Sequence, residues 1–507
     1  MKTRTENSLL NIGSNFVLQM VKTILSFITR TVFIYFLGKE ALGLNGLYTN
    51  VLSMLSLAEL GIGTAINYSL YEPIAKKNNS KISQLMVLYK KMYRIIGVVV
   101  LFLGIIIIPF LKFLISDINT IKNAYIIYIL FLANSVFSYF ISYKETLINA
   151  DQKNYKLVKI NIYFLIILNL LQILGVIIFK SFIVYLLLQI IIQFIQKIVT
   201  NIYITNQYSD IDFNTNEKLN NQDLKLIKKN IKAMIFHKIG DYCINGTDNL
   251  IISAFINVVT VGIYSNYLMI ISMVTTFTTI FFSNLTSSLG NLIVTENEEK
   301  KYEVYKKLDF VGFIMYGFCS VVLINIFNPF ITLWIGLDYC LSQYVVIAIV
   351  FSFYLSGMRK APYSIKSASG LYDIDKYSPI IQSVINLVFS ILLVKWFGLL
   401  GVIMGTIISS IAITSWQMPY IVYKYILKKS FREYVYNYFK NFIVLIIIVI
   451  LTNYIGNIIT INSIVLLIIY KMIISLFVYS IIIFTIYRKY DEMKYMLNLI
   501  KRIVKRR

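Results

Sequence analysis

Small polar side chains and one carboxylate share a helical face within an otherwise apolar stretch, residues 43–69. At 3.6 residues per turn, the face that carries Glu59 also carries Asn45, Thr49, Ser53, Ser56, Gly63 and Asn67. A charged side chain that faces hydrocarbon costs about 2.5–3.5 kcal/mol on insertion scales. Glu59 is therefore expected to face the protein interior or a water-filled cavity.

A second polar face precedes this one, within residues 12–37. Gln19, Lys22, Ser26 and Arg30 follow one another at steps of three or four residues and so share one side of a helix. Lys and Arg bind phosphate oxygens through charge-assisted hydrogen bonds, so Lys22 and Arg30 are candidates for binding an anionic diphosphate. Glu59 could instead form a buried ion pair with either cation. A polar-lined cavity accommodates the uncharged members of both faces better.

A third set of titratable side chains lies between residues 233 and 256. His237, Asp241 and Asp248 recur at helical steps beside Lys238 and are candidates for binding a coupling H⁺ or Na⁺. A histidine at a helix end with no role is an equally good interpretation of His237. The three cysteines match no metal or redox spacing, and no nucleotide-binding or hydrolase motif is present. No cofactor is expected, and the chain is interpreted as a transporter, not as an enzyme.

The elements that position these residues follow from composition. Of the 507 residues, 58% are hydrophobic and 14% are charged, and a transmembrane helix needs about 20 apolar residues. The sequence therefore predicts an all-α polytopic membrane protein with about 14 transmembrane helices. Their approximate limits are 12–37, 43–69, 93–115, 123–143, 157–179, 182–204, 233–256, 261–289, 309–335, 344–366, 377–395, 399–423, 441–459 and 464–487.

The net charge of +24 is distributed unevenly between the two ends of these helices. Most Lys and Arg residues fall in the long connections and the termini, whereas the other side carries Lys39, Lys112, Lys122, Lys180 and Lys395. The positive-inside rule then places both termini in the cytoplasm, with anionic lipids and not nucleic acid as the partner of the basic charge. The basic C-terminal segment, with Met493 and Met496 on one face, predicts a helix on the inner leaflet. A frayed tail is the alternative.

Two halves of the chain resemble each other. Residues 43–54 align with 262–273, matching Gly43 with Gly262, and similar matches join 89–110 to 305–330 and 149–156 to 371–378. Each repeat holds six spans and starts on the same side of the membrane, as in transporters whose halves rock about a central site. The predicted organisation is an N-lobe at 1–205, a cytoplasmic linker at 206–232, a C-lobe at 233–423, and two extra spans with a basic tail at 424–507.

Two long segments resemble a known family: RTVFIYFLGKEALGLNGLYTNVLSMLSLAELGIGTAINYSLYEPIA (30–75) and FHKIGDYCINGTDNLIISAFINVVTVGIYSNY (236–267). They are similar to the Wzx-type polysaccharide flippases of the multidrug/oligosaccharidyl-lipid/polysaccharide exporter superfamily. The resemblance implies a V-shaped fold whose spans 1, 2, 7 and 8 line a central cavity. It also implies that a polyprenyl-diphosphate-linked oligosaccharide is moved to the outer leaflet of the bacterial cytoplasmic membrane. Two extra C-terminal spans are typical of the related lipid II flippases, where they form a groove for the lipid tail.

The favoured hypothesis is a flippase that works by alternating access in cell-surface polysaccharide synthesis. Lys22 and Arg30 would bind the diphosphate, and Glu59, Gln19, Ser26, Asn45, Ser53, Ser56 and Asn67 would form the polar and gating surface of the cavity. Other polysaccharide-assembly membrane proteins are expected partners. The rivals are a cation-coupled multidrug exporter, a lipid II flippase and, from another class, a membrane polysaccharide polymerase.

Overall fold

The computed structural model describes residues 4–59, 62–115, 118, 121–217, 219–225, 227–228, 231, 246–369, 371 and 374–505. All regular secondary structure in these ranges is helical. The chain forms two compact units, the N-unit Met1–Gly262 and the C-unit Ile263–Arg507.

The helices of the N-unit are α1 Arg4–Leu55, α2 Ile62–Ala75, α3 Asn79–Ile107, α4 Leu111–Leu114, α5 Ala124–Ile141, α6 Glu145–Ala150, α7 Tyr155–Phe179, α8 Phe182–Gln207 and α9 Asp248–Phe255. Short 3₁₀ turns at Ser56–Glu59, Ile108–Phe110 and Ser142–Lys144 connect or extend them. Helix α10, Val258–Thr295, begins at the end of this unit and continues into the C-unit.

Two helical segments meet at Gly38 within α1. The first predicted span, 12–37, lies before this residue, and the second, 43–69, begins after it and includes the 3₁₀ turn and the start of α2. Gly38 has φ 78° and ψ −170°, a backbone conformation that glycine adopts easily and that other residues avoid. The helix therefore changes direction between residues 12–37 and 43–69, as the sequence predicted. The polar face around Glu59 continues past the end of α1 into the 3₁₀ turn.

Twelve helices in the described ranges are long and apolar enough to cross a membrane, so the predicted count of 14 is not confirmed. One cause is that Gly13–Leu55 counts as a single helix although it contains the first predicted span and the start of the second. The other is that most of the predicted span 233–256 lies outside the described residues. The prediction of an all-helical, multi-pass membrane protein is confirmed.

Two glycines, Gly43 and Gly262, allow α1 to approach the start of α10 closely. A Cβ atom at Gly43 would lie 2.0 Å from the carbonyl oxygen of Val258, and one at Gly262 would lie 2.6 Å from that of Lys39. The two backbones are therefore in contact, as at the small-residue crossings of membrane helices. Gly43 and Gly262 are the residues that the internal repeat aligned with each other.

The helices of the C-unit are α11 Glu298–Ile335, α12 Gln343–Met358, α13 Lys360–Ser369, α14 Ser378–Phe397, α15 Leu399–Ser409, α16 Ser415–Ile421, α17 Phe431–Gly456, α18 Ile464–Tyr487 and α19 Asp491–Lys505. A 3₁₀ turn lies at Leu337–Tyr339, and π-helical turns at Ser410–Thr414 and Val422–Leu427 flank α16.

The last two long helices, α17 and α18, are fastened to α11 by buried polar side chains. The Asn325 amide donates to Thr452 on α17 at 3.0 Å and to Ser475 on α18 at 3.4 Å. The Tyr479 hydroxyl of α18 donates to the Ile314 carbonyl at 3.0 Å. Where no water competes, hydrogen bonds of this kind contribute about 0.6–2 kcal/mol each to helix association.

The described part of the linker is held against the N-unit by polar contacts with α3. The Glu217 carboxylate accepts from Ser80 at 2.6 Å and from Gln84 at 2.9 Å, and these hydrogen bonds lower the pKa of Glu217. Lys81 forms a salt bridge with Asp223 at 2.9 Å. The linker is thus attached to one unit along part of its length by polar contacts, and its apolar residues Ile211, Phe213, Leu219 and Ile227 are buried.

The glycine contact yields a stability prediction. Gly43→Ala would force the backbones of α1 and α10 apart, because a backbone carbonyl cannot swing away as a side chain can. We expect a loss of about 1–3 kcal/mol, as for other overpacked sites. The midpoint of thermal unfolding of the purified protein in detergent measures it.

Gly13→Ala is the matched control, because it makes the same substitution in α1 at a position with nothing within 4 Å. This variant should be neutral or stabilised by up to about 1 kcal/mol through higher helix propensity. Equal unfolding midpoints for Gly43→Ala and the unmodified protein would contradict the close contact.

Candidate functional site

The polar face of α1 beyond Gly38 is turned away from the core of the N-unit. Thr49 and Ser53 are exposed, whereas Tyr48 and Leu52 on the other side are buried. The Tyr48 hydroxyl also donates to the Ala124 carbonyl at 3.0 Å and fixes this segment to α5. A membrane helix that packs its apolar side inward and leaves its polar side open has the arrangement that a polar cavity requires.

The hydroxyl groups on this face are bonded to their own helix. Thr49 donates to the Asn45 carbonyl at 2.6 Å, Ser53 to the Thr49 carbonyl at 2.8 Å and Ser56 to the Ser53 carbonyl at 2.6 Å. Each hydroxyl has used its one proton and keeps acceptor lone pairs that point outward. The face can therefore accept hydrogen bonds from a ligand rich in hydroxyl groups.

Glu59 is held by a tyrosine of α3. The Tyr93 hydroxyl donates to Glu59 Oε1 at 2.6 Å, and the Tyr93 ring lies 4.4 Å from that of Tyr89. The Tyr89 hydroxyl in turn accepts from Thr146 at 3.1 Å. Gly63 makes this arrangement possible, because a Cβ there would lie 2.8 Å from Glu59 Oε1 and 3.0 Å from the Tyr89 hydroxyl.

The ion pair suggested for Glu59 is not formed. Among the described residues neither Lys22 nor Arg30 forms a salt bridge with it, and its partner is Tyr93. The phenol hydroxyl satisfies one carboxylate oxygen. Asn67, one turn along α2, donates to the Tyr71 hydroxyl at 3.3 Å, and its own oxygen is buried without a partner in the described structure.

The two candidate cations occupy different surroundings on α1. Lys22 is exposed, whereas Arg30 is half-buried beside Tyr185 of α8. Next to Arg30, the Thr29 hydroxyl donates to Asn169 of α7 at 2.6 Å, which fixes this part of α1 in the N-unit. Gln19 and Ser26 are half-buried on the same helix. Eight residues separate Lys22 from Arg30, about 12 Å along the axis, so an anion between them is within reach of both side chains.

Three of the four candidate ion-coupling residues, His237, Lys238 and Asp241, lie outside the described residues. Asp248 is the first residue of α9 and is half-buried. A carboxylate in the first turn of a helix interacts favourably with the helix dipole, which gives Asp248 a structural role whether or not it binds an ion.

The C-unit contains a large apolar groove that the sequence did not predict at the residue level. It has a volume of about 810 Å³ and lies between α11, α18 and the start of α19. Its lining includes Ile314, Met315 and Phe318 of α11, Phe477 and Phe484 of α18, and Met493 of α19. The surface is almost entirely hydrocarbon and aromatic, which suits an acyl or isoprenoid chain.

The start of the C-terminal helix closes one end of this groove. Met493 is buried, Glu492 lies 3.5 Å from Lys306 of α11, and the Lys307 ammonium lies over the Tyr495 ring. The sequence predicted this C-terminal helix and placed its apolar face, with Met493 and Met496, on the inner leaflet. The structure shows that its first turns pack against the C-unit.

The sequence patterns identified neither Tyr93 as the partner of Glu59 nor the residues that line the groove. The polar pair Tyr89 and Tyr93, four residues apart in an apolar helix, was the available signal for a buried hydrogen-bond partner. The groove residues carry no distinguishing pattern, because apolar side chains are expected all round a membrane helix.

Comparisons with known proteins agree with this architecture. The family model described as "Polysaccharide biosynthesis protein" matches residues 8–283, more than half of the chain. The comparison with curated proteins gives no match.

Three solved structures show the fold. The lipid II flippase MurJ in an inward closed conformation has a TM-score of 0.65 at 14% identity, covering 93% of this chain and 98% of that one. An inward-facing MATE family multidrug resistance transporter of the MOP superfamily has a TM-score of 0.61 at 14% identity, with coverages of 79% and 96%. A variant of the Vibrio cholerae MATE transporter VcmN has a TM-score of 0.57 at 12% identity, with coverages of 84% and 99%.

The contact between Glu59 and Tyr93 can be measured with a double-mutant cycle. Combining Glu59→Gln with Tyr93→Phe should give a coupling energy of about 1.5–3 kcal/mol, the range for hydrogen bonds to charged groups. The unfolding free energies of the four proteins in detergent provide it.

Tyr35→Phe is the control, because Tyr35 is 83% exposed and belongs to α1. The cycle between Glu59 and Tyr35 should give a coupling within about 0.5 kcal/mol of zero. An equally small value for the Tyr93 cycle would show that the hydrogen bond does not stabilise the fold.

Proposed function

The chain belongs to the polysaccharide biosynthesis protein family, and we propose that it is a flippase for a polyprenyl-diphosphate-linked oligosaccharide. It would act in the bacterial cytoplasmic membrane, with both termini in the cytoplasm as the distribution of Lys and Arg predicts. The glycan would serve a cell-surface polymer such as a capsule, an exopolysaccharide, an O-antigen-like chain or a teichoic-type glycan.

The observation that carries this proposal is the apolar groove of the C-unit. The groove offers about 810 Å³ of space lined by apolar side chains beside the last long helix. A polyprenyl chain fits such a surface, because its apolar tail must stay out of water while the polar end crosses. At roughly 25 cal/mol per Å² of buried apolar area, a groove of this kind contributes several kcal/mol to binding a lipid tail.

The polar end of the substrate would meet the open face of the N-unit. Lys22 and Arg30 supply positive charge for the diphosphate, and Arg30 is held in place by its packing beside α8. The outward lone pairs of Thr49, Ser53 and Ser56 can accept hydrogen bonds from sugar hydroxyls. The two chemistries correspond to the two parts of one amphiphile.

In this proposal Glu59 is bound by Tyr93 and does not pair with Lys22 or Arg30. Because Tyr93 holds its carboxylate, Glu59 forms no salt bridge with Lys22 or Arg30 among the described residues, and it would not compete with an anion for these two cations. Transport would proceed by alternating access, and release of the Tyr93 hydrogen bond is a change that could accompany it. A coupling H⁺ or Na⁺ at Asp248 or the neighbouring residues stays a prediction.

The proposal can be tested through the groove. Ser480 lines it and is exposed on α18, so Ser480→Trp would fill it without disturbing the core. In a strain that depends on this gene, we expect lipid-linked glycan to accumulate several-fold on the inner leaflet and the surface polymer to fall in proportion. Extraction and quantification of both pools measures the effect.

Thr485→Trp is the matched control. Thr485 is an exposed, small, polar residue of the same helix but is not part of the groove lining, so this variant should support normal polymer synthesis. Immunoblots of membrane fractions verify that both variants insert.

Deletion of the gene without accumulation of any lipid-linked glycan would refute the flippase proposal. Full activity of Ser480→Trp would show that the groove takes no part in transport.

A further inference from the structure

A second, polar pocket lies in the C-unit, apart from the apolar groove and from the polar face of α1. Its volume is about 180 Å³, and α11, the π-helical turn Val422–Leu427, α17 and the residues at the end of α18 surround it. Tyr305 and Asp309 of α11, Tyr423, and Tyr434 of α17 contribute to its walls. Tyr305 and Asp309 are four residues apart and therefore lie on one face of α11.

Three oxygen atoms at this pocket are enclosed and form no hydrogen bond of standard geometry with the described residues, although the Tyr305 side chain is close enough to interact with the Asp309 carboxylate. They are Asp309 Oδ1 and the hydroxyl oxygens of Tyr305 and Tyr434. Tyr305 is 1% exposed and Tyr434 is 4% exposed. Buried polar atoms almost always have a partner, since each unsatisfied group costs about 1–3 kcal/mol. Three such oxygens lining one cavity indicate that they share a ligand.

The charges at the pocket do not balance. Its lining carries three carboxylates and two ammonium groups, which are Asp309, Glu433, Glu492, Lys306 and Lys440. The Lys306 ammonium lies 3.5 Å from Glu492, and Glu433 accepts a hydrogen bond from Tyr302.

The remaining groups leave Asp309 without a countercharge. The Lys440 ammonium lies over the rings of Tyr490 and Tyr487, at 4.4 and 5.1 Å from their centroids. No residue in the described ranges forms a salt bridge with Asp309. Among the lining residues the excess is one negative charge, and Asp309 is the carboxylate that no cation pairs with.

We propose that this pocket binds a monovalent inorganic cation, with Asp309 as the charged ligand and the Tyr305 and Tyr434 hydroxyls as neutral oxygen ligands. Carboxylate and hydroxyl oxygens are the donors that hard cations prefer. A single positive charge balances the site, whereas a divalent ion would reverse its charge. Water alone could complete the hydrogen bonds, but it would leave a buried carboxylate uncompensated.

The position of the pocket gives the cation a structural consequence. The ion would join α11 to α17 at the end of α11 opposite the Asn325 hydrogen bonds, so the long helices after residue 430 would be fixed at two levels. The site contains none of the residues assigned to the glycan substrate. Its occupancy can therefore be measured without any transport, and its failure would leave the flippase proposal standing.

The test uses the full-length protein in detergent. NaCl or KCl replaces choline chloride at constant ionic strength while the thermal unfolding midpoint is recorded. We expect a saturable rise of about 3–5 °C with at least one of the two alkali cations, since a ligand that binds only the folded state stabilises it. Asp309→Asn should abolish this rise, and equilibrium binding of radioactive sodium or of the potassium analogue rubidium should be lost with it.

Two further variants keep the test decisive. Tyr434→Phe removes one neutral ligand and no charge, so it should weaken the salt response several-fold even if Asp309→Asn fails to fold. Asp338 is an exposed carboxylate in the 3₁₀ turn after α11, so Asp338→Asn should respond to salt as the unmodified protein does.

Equal midpoints in choline, sodium and potassium, with stability that varies only with pH, would overturn the proposal in favour of a protonated Asp309. A salt response that persists in Asp309→Asn would overturn it as well.

Discussion

The structure depends on one constraint, which is that hydrocarbon solvates neither backbone amides nor charge. Helices satisfy the backbone within each span, and the polar side chains must find partners in the protein or face water. Glu59 accepts from Tyr93, and Asn325 donates to Thr452 and Ser475. Each of these contacts joins different helices, so the groups that are costly in lipid are also the groups that fix the tertiary structure.

The same constraint separates two kinds of surface. In the N-unit, the second half of α1 has an open polar face and a buried apolar side, which is the reverse of a helix that faces lipid. In the C-unit, an apolar groove of about 810 Å³ lies between α11 and α18. A lipid-linked glycan needs both surfaces, since one end of it is hydrated and the other is not. This correspondence is the physical basis of the proposed substrate class.

Much of this organisation could be predicted because membrane helices leave strong local signals. The apolar runs fix where most spans lie, and the three-to-four-residue spacing around Glu59 identifies the polar face. What could not be predicted are contacts between residues far apart in sequence. The partner of Glu59 is 34 residues away, and nothing local distinguishes a phenol from the cations of α1 as that partner.

Two other outcomes have equally specific causes. The predicted spans 12–37 and 43–69 are not counted separately because α1 is continuous across the non-helical residue Gly38, and most of the predicted span 233–256 lies outside the described residues. Asp309 was not singled out because it stands beside Lys306, Lys307 and Tyr305 at the predicted start of a span, where the sequence suggests an exposed residue. In the structure its Oδ1 atom is enclosed, in a pocket that α17 helps to line. Whether a charged residue at the predicted start of a span is buried therefore depends on how other helices pack against it, which the local sequence does not show.

The central claim is that the chain itself moves a lipid-linked diphosphate across a bilayer. The most direct measurement reconstitutes the purified protein in liposomes that contain a polyprenyl-diphosphate oligosaccharide and follows the fraction accessible to a glycosidase added outside. Starting from about half, this fraction should approach completeness with the unmodified protein and stay near half with the double variant Lys22→Ala and Arg30→Ala. Accessibility that stays near half with the correctly folded, unmodified protein would contradict the proposed flippase activity.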